Sequence, residues 1–212
     1  MAWNKLGTTT LSSTADVIDS GAFTAVNFIF GMSHVFASGG DKAPNLRFDQ
    51  TGGTAYTTRH SDNGGADSSE TSQPDIKGIG PTDDDDFMIY YAFNDASEEK
   101  LVIMQQVNRN NAGAGNAPYR EETVGKYAQT SSQVTEVGIT NTGTGDYDTD
   151  SNFSALGSDG TESLNVQDGA IYYDTTLNKE YVLYNNTWTE IWILSPIWLE
   201  MCIDFSISIR RW

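Results

Sequence analysis

What most limits the fold of this chain is the brevity of its apolar runs. Short apolar stretches are separated by Gly, Thr, Ser, Asn and Asp, and no window of fifteen residues carries a clean i, i+3, i+4, i+7 pattern. An amphipathic helix needs that stripe to bury one side, whereas a strand needs only a few alternating residues between turns. The expected class is therefore all-β, with strand spacing that suits an antiparallel β-sandwich. The candidate strands are Ala22 to Phe30, Leu46 to Phe48, Tyr56 to Arg59, Phe87 to Phe93, Leu101 to Val107, Val134 to Thr140 and Asn152 to Leu156. FMIYYAF and LVIMQQV, joined by the polar connection NDASEEK, read as a hairpin with both runs largely buried. Ser61 to Pro74, SDNGGADSSETSQP, has almost nothing apolar to bury and reads as a long surface loop.

The character changes after Gly160. DGAIYYDTTLNKEYVLYNNTWTEI holds two β-rich runs, Ala170 to Tyr173 and Glu180 to Tyr184, about a turn of Thr, Asn and Lys. The organisation expected is a sandwich over residues 1–160, a β-hairpin module over 161–194 and an apolar C-terminal strand or tail over 195–212. A lone hairpin is marginal in water, so the module must pack against the sandwich or against copies of itself. In the tail, Ile203, Phe205, Ile207 and Ile209 alternate with Asp204, Ser206, Ser208 and Arg210, the pattern of a half-buried strand that aggregates if unpaired.

Twelve basic against twenty-nine acidic residues give a formal charge of −17. Such a surface repels phosphate backbones and anionic lipid, which argues against nucleic acid as a partner. The single cysteine, Cys202, excludes an intrachain disulfide and sits in an apolar stretch, as a buried inert thiol would. MAWNKLGTTTLSSTADVIDSG lacks the apolar core of a secretory signal, so synthesis in a cytoplasm is expected. The most apolar window, Ile191 to Ile203, is broken by Ser195, Pro196 and Glu200 and is too short for a membrane-spanning helix.

The motifs are weak. In AGAGNAPYREETVGKYA, residues 112–128, Pro118 takes the third glycine's place of a dinucleotide fingerprint. Arg120 and Tyr127 take the glycine and hydroxyl places of a phosphate loop, so the stretch reads as a structural loop. A zinc site or triad would need His34 and His60, the only histidines, to converge with distant carboxylates, and the spacing gives no support for that. GMSHV is no nucleophile elbow, because Val35 replaces its second glycine. Asp146, Asp148, Asp150 and Asn152 alternate as in a calcium loop, but Ser151 and Gly157 occupy the places of the turn glycine and the bidentate Glu, which leaves a solvated acidic loop as the other reading. Asp83 to Asp86 reads as a hydrated, self-repelling approach to a strand. Tyr90, Tyr91, Tyr172 and Tyr173 read as strand core or sheet-face residues rather than sugar platforms. No residue is assigned a catalytic, cofactor-binding or metal-binding role, and no cofactor is expected.

MAWNKLGTTTL, LRFDQTGGTAYTTRHSDNGGAD, EKLVIMQQVNRNNAGAGNAPYREETVGKYAQTSSQVTEVGITNTGTGDY and SALGSDG, in that order over residues 1–160, resemble virion-associated proteins of marine tailed phages and related environmental viruses. The C-terminal DGAIYYDTTLNKEYVLYNNTWTEI looks like a hairpin module of phage tail-fibre and appendage proteins, and the segment after Ile191 matches neither pattern. The resemblance implies a jelly-roll or concanavalin-like sandwich on the virion surface, in a tail fibre, adhesin or capsid decoration. It implies no catalytic residue. The function expected is that of a non-enzymatic virion structural protein that contacts other virion proteins, copies of itself (a homo-oligomer, of which a trimer is one form) and host surface glycan, without nucleic acid or membrane insertion. The alternative is a carbohydrate-binding module or glycan-processing enzyme on the same architecture.

Overall fold

The computed structural model describes residues 3–160, 171–184 and 187–191, and all regular structure among them is strand. The chain divides into two compact units, Met1–Glu162 and Ser163–Trp212. In the first, thirteen strands follow in chain order: β1 Asn4–Thr10, β2 Val17–Asp19, β3 Phe28–Val35, β4 Ala37–Ser38, β5 Pro44–Phe48, β6 Tyr56–Asp62, β7 Ser68–Gln73, β8 Asp86–Phe93, β9 Lys100–Asn108, β10 Tyr119–Tyr127, β11 Val137–Asn141, β12 Asp146–Tyr147 and β13 Asn152–Ser158.

This unit is an antiparallel β-sandwich. Its large layer is an eight-stranded sheet in the order β1-β13-β3-β8-β9-β10-β6-β7, and its small layer is the three-stranded sheet β2-β11-β5, with a two-stranded ribbon β12-β4 beside them. One buried cluster joins the layers: Ile18, Leu46, Phe48, Val137 and Ile139 of the small sheet pack with Ile29, Met88, Tyr90, Val102, Met104 and Tyr127 of the large one. Each such side chain withdrawn from water contributes about 1.5–3 kcal/mol. Gly31 leaves room on the inner face for its cross-strand neighbour Tyr90, since a Cβ there would stand 2.1 Å from the ring of that fully buried residue.

The sheet's pleat explains several differences from the sequence reading. Ala22–Asn27 is irregular, and the strand expected from Ala22 begins only at Phe28. Here the chain crosses from β2 in the small sheet to β3 in the large one, and Phe23 donates its amide to the Thr135 carbonyl on the way. The stretch expected as a loop over Ser61 to Pro74 forms an edge hairpin, β6 turning at Asn63 and Gly64 into β7. Strand β7 is polar because it lies at the sheet's edge, where burial does not demand apolar residues. Of the structural loop 112–128, only the first part is a loop. Tyr119–Tyr127 is β10, paired on both sides in the middle of the sheet, and Glu121 and Thr123 sit at its buried positions.

Asp86 also departs from expectation. At the end of the Asp83–Asp86 run its carboxylate is fully buried and pairs at 2.8 Å with the equally buried Lys42 ammonium, which also donates to the Asp84 carbonyl. Asp84 and Asp85 stay nearer solvent and bind Arg109. Burial is the larger influence on Asp86 and lifts its pKa to about 6, against the opposing pull of Lys42.

In the second unit, β14 Ile171–Asp174, β15 Lys179–Tyr184 and β16 Thr187–Ile191 form a three-stranded antiparallel sheet. The expected hairpin is its first two strands, with Asp174 accepting the amides of Thr176 and Leu177 in the turn. The expected strand over 195–212, with Cys202 and Trp192, lies outside the described residues.

Candidate functional site

On a strand, successive side chains point to opposite faces, so a sheet buried on one side should be polar on the other. Strands β8 and β9 break this rule. Their inward positions, Met88, Tyr90, Ala92, Val102 and Met104, fill the core, yet their outward positions are apolar too. Both runs were expected to be largely buried; instead every second residue faces out, with Ile103 61%, Leu101 55% and Tyr91 52% exposed.

Strand register lines these residues into rows across the sheet. Phe30 on β3 pairs with Tyr91 on β8, Tyr91 with Ile103 on β9, Ile103 with Val124 on β10, and Val124 with Arg59 on β6. The next row runs Phe28, Phe93, Leu101, Lys126 and Thr57. Rings meet along the rows: Phe30 and Tyr91 have centroids 4.8 Å apart, Phe28 and Phe93 5.9 Å, and Trp3 meets the Phe30 ring edge-on at 6.4 Å. The result is a shallow groove of about 780 Å³ on the outer face, apolar along β3, β8 and β9 and bordered by Thr57, Arg59, Ser69 and Thr71. The cations at this border are already paired, Lys126 with Glu99 at 2.7 Å and Arg59 with Asp67 at 3.6 Å. Contiguous exposed apolar surface of this kind marks an interaction face. The sequence signal was present as apolar residues at both phases of FMIYYAF and LVIMQQV; what composition does not reveal is whether the second cover belongs to the same chain.

The histidines do not converge. His34 lies on the outer face of β3 against Phe36, with ring centroids 4.5 Å apart, while His60 is buried on the inner face of β6, with three strands between them in the sheet order. A different grouping surrounds His60. His60 and Asp62 are two residues apart on β6, so they share a face, and Glu121 stands opposite Asp62 on β10. One ligand atom from each lies within 4.8 Å of the others. Nδ1 of His60 and Oε1 of Glu121 are buried without a hydrogen-bond partner. Burial, followed by the neighbouring Asp62 charge, pushes the Glu121 carboxyl up to about 8. The sequence displayed the pair His60 and Asp62, but Glu121 is brought to it only by the β6–β10 register.

The acidic loop has another geometry. Asp146 lies in ribbon strand β12, Asp148 accepts the Thr149 amide at 2.7 Å, and Asp150 has a positive φ of 67°. Among the described residues these aspartates do not converge with other ligand-type side chains as His60, Asp62 and Glu121 do.

Compared with family models, with curated proteins and with solved structures, the chain matches none. The class of protein therefore rests on its own architecture, an all-β antiparallel sandwich with an apolar outer sheet face.

Proposed function

We propose that this chain is a non-enzymatic structural protein of a virus particle, displayed on the virion surface as part of a tail fibre, adhesin or capsid decoration. The observation that carries the proposal is the outer face of the large sheet, where Tyr91, Leu101, Ile103 and Val124 form a surface suited to another protein layer. The resemblance of residues 1–160 to phage virion proteins supports the same reading. Copies of this chain, or other virion proteins, cover that face in the assembled particle, and weak contacts repeated over many copies give durable attachment. The partner is not nucleic acid, whose charge the −17 surface opposes. Mass spectrometry of purified virions tests the proposal: the chain is expected in intact particles, and its absence from them contradicts it.

A second reading draws on the same groove. Trp3 and Tyr91 offer ring faces and edges at one end of the groove, and Thr57 and Thr71 offer hydroxyls at the other, groups that suit a saccharide laid along it. A glycan array with the isolated chain separates the two: binding by the monomer favours a carbohydrate-binding module, silence the structural role.

A further inference from the structure

We propose that His60, Asp62 and Glu121 form a binding site for one divalent transition-metal ion, with Zn²⁺ the best fit, which clips the edge hairpin β6–β7 to the central strand β10. This site lies on the inner face of the sheet and is independent of the apolar outer groove.

Three features carry it. The first is placement: two residues at i and i+2 on one strand and a third directly across the ladder offer a nitrogen and two carboxylates on one face. Their ligand atoms lie within 4.8 Å of one another. An ion with bonds of about 2.0–2.2 Å draws ligand atoms to no more than about 4.4 Å apart, a small closure that exposed Asp62 at the strand end can supply.

The second is the pair of orphaned atoms. His60 and Glu121 are 6% and 2% exposed, and neither Nδ1 of the one nor Oε1 of the other has a partner. A buried polar group left without a partner is destabilising, so two in one cluster mark a place where a ligand offsets the cost of burial. The third is charge. Two carboxyl groups face each other across the ladder, and a dication between them takes the place of the proton that lets them sit side by side. Lys77, a cation whose charge acts on Glu121, is engaged by Glu70 at 2.7 Å and lies on the segment covering this face, where its carbonyl accepts from the Thr123 hydroxyl.

The donor set selects the ion. A neutral imidazole with two carboxylates suits zinc or its first-row neighbours, whereas calcium takes six to eight oxygens, more than this cluster offers. Three protein ligands leave a fourth position toward solvent at Asp62, which gives the ion a way in.

The test uses the full chain stripped with chelator and titrated with ZnCl₂, CoCl₂ or CaCl₂ by calorimetry, with the visible spectrum followed for Co²⁺. Expected are one Zn²⁺ per chain, d–d absorption of a low-coordinate Co²⁺ site, a melting temperature that rises with Zn²⁺ concentration, and weaker Ca²⁺ binding. Asp62→Asn and Glu121→Gln, which keep shape, should each weaken Zn²⁺ at least tenfold while far-ultraviolet circular dichroism stays the same. His60→Gln should abolish the Co²⁺ spectrum. Absence of saturable Zn²⁺ binding, binding that all three variants leave intact, or equal affinity for Ca²⁺ would overturn the proposal. A variant that fails to fold is replaced by NMR of the wild-type imidazoles: Zn²⁺ should shift the ring resonances of one of the two histidines and leave the other, and rings that both stay unshifted also overturn the proposal.

Discussion

Single residues carry the polar tension in this sandwich. Lys42 and Asp86 are both wholly buried, and a buried pair often stabilises no more than apolar residues of like volume, although removing one partner alone costs about 3–5 kcal/mol. Lys42→Met, which strands the buried Asp86 carboxylate, should therefore lower stability in urea at pH 7.5 by about that much, while Lys42→Met with Asp86→Leu should cost far less. The sign of the pH dependence follows from the raised pKa. With Asp86 at about 6 in the fold and near the ordinary 3.9 when unfolded, the native state holds the proton more tightly. The stability this group confers is full below about pH 4 and is lost as pH rises through 6. Between pH 7.5 and 4.5 the urea midpoint of wild type should rise relative to the double variant; an unchanged difference would refute the assignment. Gly31 gives a second residue-scale test. Gly31→Ala places a methyl 2.1 Å from the buried Tyr90 ring and should destabilise by about 1–3 kcal/mol in the same assay.

Elements were legible where burial and pattern agree. FMIYYAF, LVIMQQV and NFSAL declare themselves as strands because their β-rich residues sit at alternating buried positions, and the turn NDASEEK joins the first two in register. Strand β10 is hidden because its inward positions hold Glu121 and Thr123 while Val124 points outward, so polar and apolar residues do not alternate as in a half-buried strand. Edge strand β7 was hidden for the opposite reason, having too little to bury on either face. The site is half visible: His60 and Asp62 stand two residues apart in sequence, and their partner Glu121 becomes a neighbour only through the ladder. At the end of β7, Ser72 has a φ of 56° beside the register shift at Tyr56, which bends the edge away from further pairing. Ser72→Val puts a β-branched residue into left-handed backbone and should lower the melting midpoint, by about 1–3 kcal/mol in stability. Ser72→Gly should not lower it; equal effects of the two would show that the backbone there is unstrained.

At the scale of the molecule, one sheet has two apolar faces and the small layer covers only the inner one. Surface charge keeps copies apart everywhere except where the outer face carries none of it: across β3, β8 and β9 the rows hold Phe, Tyr, Leu and Ile without a carboxylate. Symmetric contact through that face would bury the rings that the isolated unit leaves half exposed. Because Ile103 stands opposite Val124, Ile103→Lys with Val124→Glu places a cross-strand ion pair there, keeps the net charge and spares the core. The measurement that bears most directly on the account is the light-scattering mass of the full chain, wild type against this double variant, at tens of micromolar. Wild type is expected as an oligomer and the variant as a folded monomer; a monomeric wild type, or an oligomer that the double substitution leaves intact, would contradict it.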